Sequence, residues 1–274
     1  MEDLISVIMG VKYQRESTAL LERAVQSILD QTYSNIEFLI CERDSTEGAK
    51  EYLYNIERSN KIVKIIDGSM AKSFSEQLNM CLREAKGSWI ARMDDDDYSH
   101  TDRFKKQLEY LKSNSDISFV GCNAELFLDG KKIGTRHFPE EPEVKDFLFS
   151  MPFIHPAIIF KSSALKAVNG YSEKNRCERC EDYDLLLRMY EKGMRGANIQ
   201  MELFSYSLPP KGIDTRSFRD RVNETRTRIV RFKSLGILPR NLHYALKPIA
   251  VWLIPKKLLA KIKEFHMHMQ QKQY

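Results

Sequence analysis

The 274-residue chain is 42% hydrophobic and 30% charged, enough apolar material for one α/β domain with a large core plus an appendage. No stretch reaches the roughly 18–20 apolar residues of a membrane span, and the acidic start MEDLISVIMG lacks the basic n-region of a cleaved signal peptide. The net charge of +5 is uneven: residues 211–274 hold 15 Lys and Arg against 4 Asp and Glu, the rest is acidic, and such asymmetry points to a nucleic-acid or membrane-surface partner for the basic end.

In chain order, LISVIMGV (4–11) reads as a buried strand. Residues 17–32 repeat apolar side chains at helical spacing behind a Ser17/Thr18 cap. Strands at 36–41, 61–66 and 88–93 alternate with helices at 45–57 and 70–85. This alternation predicts a mostly parallel, doubly wound sheet flanked by helices, with ligands at the C-terminal edge of its strands. The second half is less regular. A helix is expected over 101–114, a strand over 117–128 with a hairpin at Asp129–Gly130, a strand over HPAIIF (155–160), and a helix over 181–193 stopping at Gly193. There is no internal repeat. The boundary is expected at Pro209–Gly212, giving a domain over 1–210 and a basic helical extension over 211–274. The five scattered cysteines point to reduced thiols in a cytoplasmic protein.

Four consecutive aspartates, Asp94 to Asp97, end the strand SWIARM. A solvated acidic turn is the plain explanation of such a run. Its position at a strand's C-terminal end favours a ligand site instead. Carboxylates suit Mg²⁺ or Mn²⁺, and Mg²⁺ typically takes one or two carboxylates together with substrate phosphates. The expected positive partner is therefore a divalent metal carrying a diphosphate.

ISVIMGV, AVQSILDQTYSNIEFLIC, GSWIARMDDDDYSHTDRFKKQ and the HPAIIF…CEDYDLLLR stretch resemble, in order, the motifs of family 2 glycosyltransferases over roughly residues 4–208. The resemblance implies the GT-A fold and an inverting hexosyl- or N-acetylhexosaminyltransferase that uses a nucleotide-diphosphate sugar. It puts the D-x-D motif on Asp94-Asp95-Asp96. Asp94 lies near the ribose or metal, Asp95 at the donor, and Asp96 is the metal ligand, with Mn²⁺ or Mg²⁺ as cofactor. Asp97 is a supporting acid. Val11 and Tyr13 at the first strand's tip, and Glu42 and Asp44 at the second, flank the base. Here the sequence departs from the family: Glu42 stands for the usual aspartate that meets uracil, and Arg43-Asp44 for Asp-Gly. A UDP-sugar is still favoured. Glu42 and Asp44 also suit helix capping. Lys72 and Asn79 are candidates to face the donor.

Inversion needs a base for the acceptor hydroxyl. Glu181, Asp182 and Asp184 begin a helix, where acids also complement the macrodipole. The resemblance selects Asp182 as base and Glu181 as acceptor ligand, leaving Asp184 structural. His155 is an acceptor-side candidate, with a hydrogen-bonded structural residue as the alternative. Cys177-x-x-Cys180 is a single pair, weak evidence for zinc. In the tail, 214–235 reads as a basic helix. The stretch 242–269, broken by Pro248 and Pro255, carries Trp252 and lysines that suit an anionic membrane surface. Packing on the enzyme body or in a homodimer is the alternative, and nucleic acid is disfavoured. The overall expectation is an enzyme at the inner face of the cell membrane. It extends a lipid-linked glycan for a bacterial surface polysaccharide such as a capsule. A sugar nucleotidylyltransferase and a non-catalytic module of the same fold are the alternatives, the first opposed by the single glycine in MGVKYQRES.

Overall fold

The computed structural model describes residues 3–209 and 216–254. Its first half follows the alternation. Strand β1 (Ile5–Val11) is buried throughout, and helix α1 (Ala19–Leu29) turns Leu21, Ala24, Val25 and Ile28 to the core. Then come β2 (Ile36–Glu42), α2 (Glu47–Ser59), β3 (Val63–Asp67), α3 (Phe74–Glu84) and β4 (Trp89–Arg92). The strands pair in parallel in the order β3-β2-β1-β4. Their C-terminal tips, residues 11, 42, 67 and 93, therefore share one edge.

Beyond β4 the sheet stops being parallel. The chain passes through β5 (Tyr98–Ser99), α4 (Arg103–Ser113), the long β6 (Ile117–Leu128) and β7 (Lys131–Arg136). It continues with β8 (Ile159–Lys161), α5 (Ser162–Ala167), α6 (Glu181–Glu191) and β9 (Arg195–Ser207). β8 runs antiparallel to both β4 and β6, while β9 lies parallel to β6 and returns antiparallel to β5. The far end of β9 thereby comes back to the aspartate run. β6 and β7 form the expected hairpin, with Asp129 and Gly130 both at positive φ.

Three sequence expectations are corrected here. HPAIIF is not one strand: His155–Ala157 form a 3-10 turn and only Ile159–Lys161 pair, because Pro156 has no N–H for a ladder. The third helix starts at Phe74, not at residue 70; Ser73 caps it by accepting the Glu76 N–H at 3.2 Å, which leaves Lys72 in the preceding loop. The 13-residue strand β9 had no counterpart in the sequence reading.

Apolar side chains pack in two layers. Helices α1, α2 and α4 cover one face of the sheet. Helices α3, α5 and α6 cover the other, together with Phe232 of α7 (Phe218–Ser234) and Ala245 of α8 (Leu238–Trp252). Asp184 in α6 is fully buried and holds three arginines: Arg176 at 3.0 Å, Arg188 at 2.7 Å and Arg231 of α7 at 3.2 Å.

Candidate active site

The aspartate run has positive partners within the chain. Arg92, the last residue of β4, is 1% exposed, and its guanidinium reaches the Asp94 carboxylate and the Met93 carbonyl. Arg15, in the loop after β1, pairs with the Asp96 carboxylate at 2.8 Å. Arg23 of α1 donates to the Asp96 carbonyl at 3.0 Å. Ser207, at the end of β9, donates its hydroxyl to the Asp96 carbonyl at 2.5 Å and its N–H to the Asp97 carboxylate at 2.7 Å. Strands β4 and β9, the loop after β1 and helix α1 thus hold a loop that mutual repulsion would otherwise open.

The compensation is incomplete. Burial, and then the charges of Asp96 and Asp94, push Asp95 up to about 7. Asp96 is raised by burial and Asp94, against the opposing pull of Arg15. Asp97 is fully buried and pushed well above the carboxylate range, first by burial and then by Asp94 and Asp96; its Oδ2 has no hydrogen-bond partner. Among the described residues no three His, Cys, Asp or Glu side chains converge as a ready-made metal cage. The donor set still fits a hard divalent cation. It is all carboxylate, its mutual repulsion is only partly relieved by the arginines, and one buried oxygen, Oδ2 of Asp97, is unpartnered. Mg²⁺ sites of this kind draw only one or two protein carboxylates.

At the tips of β1 and β2, Val11 pairs in register with Glu42. Tyr13 is buried, donating its N–H to the Ser45 hydroxyl at 3.0 Å and its own hydroxyl to the Ser17 carbonyl at 2.8 Å. Glu42 accepts the Ser45 N–H at 2.8 Å, and Asp44, at a φ of 54°, pairs with Lys12 at 2.9 Å. A cleft of about 810 Å³ opens here, lined by Lys12, Glu42, Arg43, Asp44, Asp67 and Lys72 among others. That volume suits a nucleotide-sized ligand. Gly68 closes the floor: a Cβ there would sit 2.5 Å from the Glu42 carbonyl oxygen. The sequence reading missed Lys12, Arg43 and Asp67; their position at strand tips was the available signal.

Two candidates lie elsewhere. Asn79 lines a separate cavity with Arg83 and Lys166, where its amide bonds the Tyr171 backbone twice, each at 2.9 Å, and Glu173 at 2.8 Å. His155 is buried with Nε2 2.8 Å from the Tyr171 hydroxyl; burial, helped by Arg92, keeps it well below the usual histidine range and so neutral.

At the start of α6, burial and then Asp182 push Glu181 up to about 7. Asp182 is also raised by burial, opposed by the Tyr183 N–H it accepts at 2.7 Å and by Arg216. The Asp94 charge is felt at Asp182 and the Arg92 charge at Glu181, so the α6 start lies within electrostatic reach of the aspartate run. Cys177 and Cys180 are buried, their thiols raised by burial; Cys177 lies 3.3 Å from the Ser172 hydroxyl and Cys180 lies 3.3 Å from the Arg176 carbonyl.

The sequence matches the family described as Glycosyl transferase family 2 over residues 6–167. The chain belongs to glycosyltransferase family 2. Putative glycosyltransferase EpsE of Bacillus subtilis (strain 168) is 36% identical over 218 residues, covering 78% of this chain and 76% of that protein. The Escherichia coli UDP-Glc:alpha-D-GlcNAc-diphosphoundecaprenol beta-1,3-glucosyltransferase WfaP is 26% identical over 86% of this chain and 88% of its own. In structure, S. aureus TarS 1–349 in complex with UDP-GlcNAc superposes with a TM-score of 0.68 at 15% identity, covering 89% of this chain and 72% of that one. The fold is GT-A, and this family 2 chain is a glycosyltransferase. No helix among its described residues is long and apolar enough to cross a membrane.

Proposed function

We propose that the protein is an inverting transferase that moves a sugar from a UDP-sugar to a lipid-linked glycan acceptor in bacterial surface polysaccharide synthesis. The observation that carries this reading is a pair of acidic groups within electrostatic reach of each other: the arginine-held run Asp94–Asp97 at the tip of β4, and Glu181–Asp182 at the start of α6. One group suits a leaving diphosphate and the other an attacking hydroxyl.

The nucleotide occupies the cleft beside Val11, Tyr13, Glu42 and Asp44, with Lys72 at its rim. Asp94 and Asp96 hold the divalent cation, and Asp95 borders the donor. When bound, Mg²⁺ or Mn²⁺ neutralises the charge that develops on the diphosphate as the glycosidic bond breaks. Asp182 accepts the proton of the acceptor hydroxyl while its oxygen bonds the anomeric carbon and UDP departs. Glu181 orients that hydroxyl, and Arg92, between the two groups, keeps Asp94 in place. His155, neutral and bonded to Tyr171, shapes the acceptor side without moving a proton. The similarity to WfaP, a UDP-glucose transferase onto a GlcNAc-diphosphoundecaprenol acceptor, supports the UDP-sugar donor and the lipid-linked acceptor. Residues 1–210 carry the reaction and 211–274 bring the enzyme to the inner membrane face.

Asp96→Asn tests the metal assignment. Calorimetry should show UDP binding that strengthens with Mn²⁺ in the parent and loses that strengthening in the variant. UDP binding that ignores Mn²⁺ in both proteins would remove the metal from the site.

A further inference from the structure

α8 is apolar on two sides. Ala245 and Pro248 face the core. Leu242, Leu246 and Leu253 stand 47, 43 and 70% exposed, spaced four and seven residues apart and so on one outward stripe. Trp252 sits beside that stripe, half exposed, with its ring 4.7 Å from that of Phe218 at the start of α7. Phe149, 59% exposed, extends the apolar surface, and the Lys247 ammonium lies 3.2 Å from its ring centroid.

Positive charge predominates on these two helices: Arg219, Arg226, Lys233, Arg240 and Lys247 lie on α7 and α8, against Asp220 and Glu224 on α7 and with Arg219 3.6 Å from Glu178. Exposed apolar side chains with a Trp, on a pair of helices with an excess of arginine and lysine, match the two requirements of an anionic bilayer surface: acyl-chain contact and negative headgroups. A second protein would meet the same apolar stripe without needing that positive excess. The surface also lies on helices that pack against α6: the Arg228 guanidinium of α7 sits 4.6 Å from the ring centroid of Tyr183, the residue after Asp182.

We infer that Leu242, Leu246, Trp252 and Leu253 of α8, with Phe218 and Phe149, form a docking face for an anionic lipid bilayer. It presents the α6 start to an acceptor held in the same membrane. The second clause rests on the lipid-linked acceptor proposed above; the docking face does not.

The test is flotation of the full chain with vesicles of phosphatidylcholine plus phosphatidylglycerol, beside phosphatidylcholine alone. The parent should float with the mixed vesicles and lose that binding at high salt. Leu246→Glu/Leu253→Glu should bind at least about tenfold more weakly, since two exposed leucines become charged. Its thermal midpoint and its release of UDP from donor should match the parent. A parent that does not float would overturn the proposal, as would a double variant that floats equally well. So would a parent that elutes as a dimer the variant breaks, which would assign the face to a second copy. A protein that floats yet releases nucleotide from no sugar donor would leave the docking face standing and defeat the transferase assignment alone.

Discussion

Glu181 and Asp182 are adjacent in sequence and both raised, so they titrate as a pair. The transfer rate should climb as the pair loses protons, with an acid limb above the ordinary carboxylate range. Glu181→Gln removes one member and should leave a single limb at lower pH; an unmoved profile would separate Glu181 from the site. Stability follows the same group. Glu181, pushed up to about 7 in the folded protein, lies above the 4.5 of an ordinary glutamate, so the stabilisation by its proton is full below about 4.5 and is lost as pH rises through 7. The thermal midpoint of Glu181→Gln should therefore fall less than the parent's between pH 5 and 8. At this scale the sequence showed the acids and where they stand along the chain. It did not show their partners. Arg15, Arg23 and Ser207 come to Asp96 across 81, 73 and 111 residues, and no local pattern encodes that meeting. Arg92 was adjacent and still unread, because an arginine inside a strand run normally signals an exposed position.

At the scale of elements, α6 separates its acids by face. Asp182 stands at the helix start, while Asp184 points inward to three arginines. Asp184→Asn should leave those guanidiniums under-compensated and cost about 3 kcal/mol, lowering the thermal midpoint by roughly 5–10 °C. Transfer per folded molecule should change little. A variant as stable as the parent would mean that the network contributes nothing. The strands β1 to β4 were legible because buried parallel strands read as continuous apolar runs. β9 was not. Its sequence RGANIQMELFSYS mixes faces, and its pairing with β6 shifts register between Cys122 and Asn123 and again before Ala124, which breaks the alternation that marks a strand. The antiparallel insertion of β8 was hidden for a related reason: a three-residue strand after a proline turn carries almost no periodicity.

Over the whole molecule, the parallel half lines the cleft proposed for the nucleotide, and the mixed half carries the α6 acids proposed for the acceptor side. β9 ties the two together at Ser207. The charge asymmetry in the sequence marked the C-terminal quarter as the basic part of the chain. It did not disclose that α7 and α8 share an apolar layer with α6, since α7 is arginine-rich and reads as solvated. Residues 255–274, including most of the lysines expected at a membrane, lie outside the described residues. The central claim is that one space holds both a nucleotide-sugar site and a base. The most direct measurement is nucleotide release from a panel of UDP- and GDP-sugars with Mn²⁺ and a diphospholipid-linked sugar acceptor, for the parent and Asp182→Asn. The account predicts acceptor-dependent UDP release by the parent and a roughly 10²–10⁴-fold slower rate in the variant, with UDP affinity unchanged. A parent that releases no nucleotide from any donor, or an Asp182→Asn variant as fast as the parent, would contradict it.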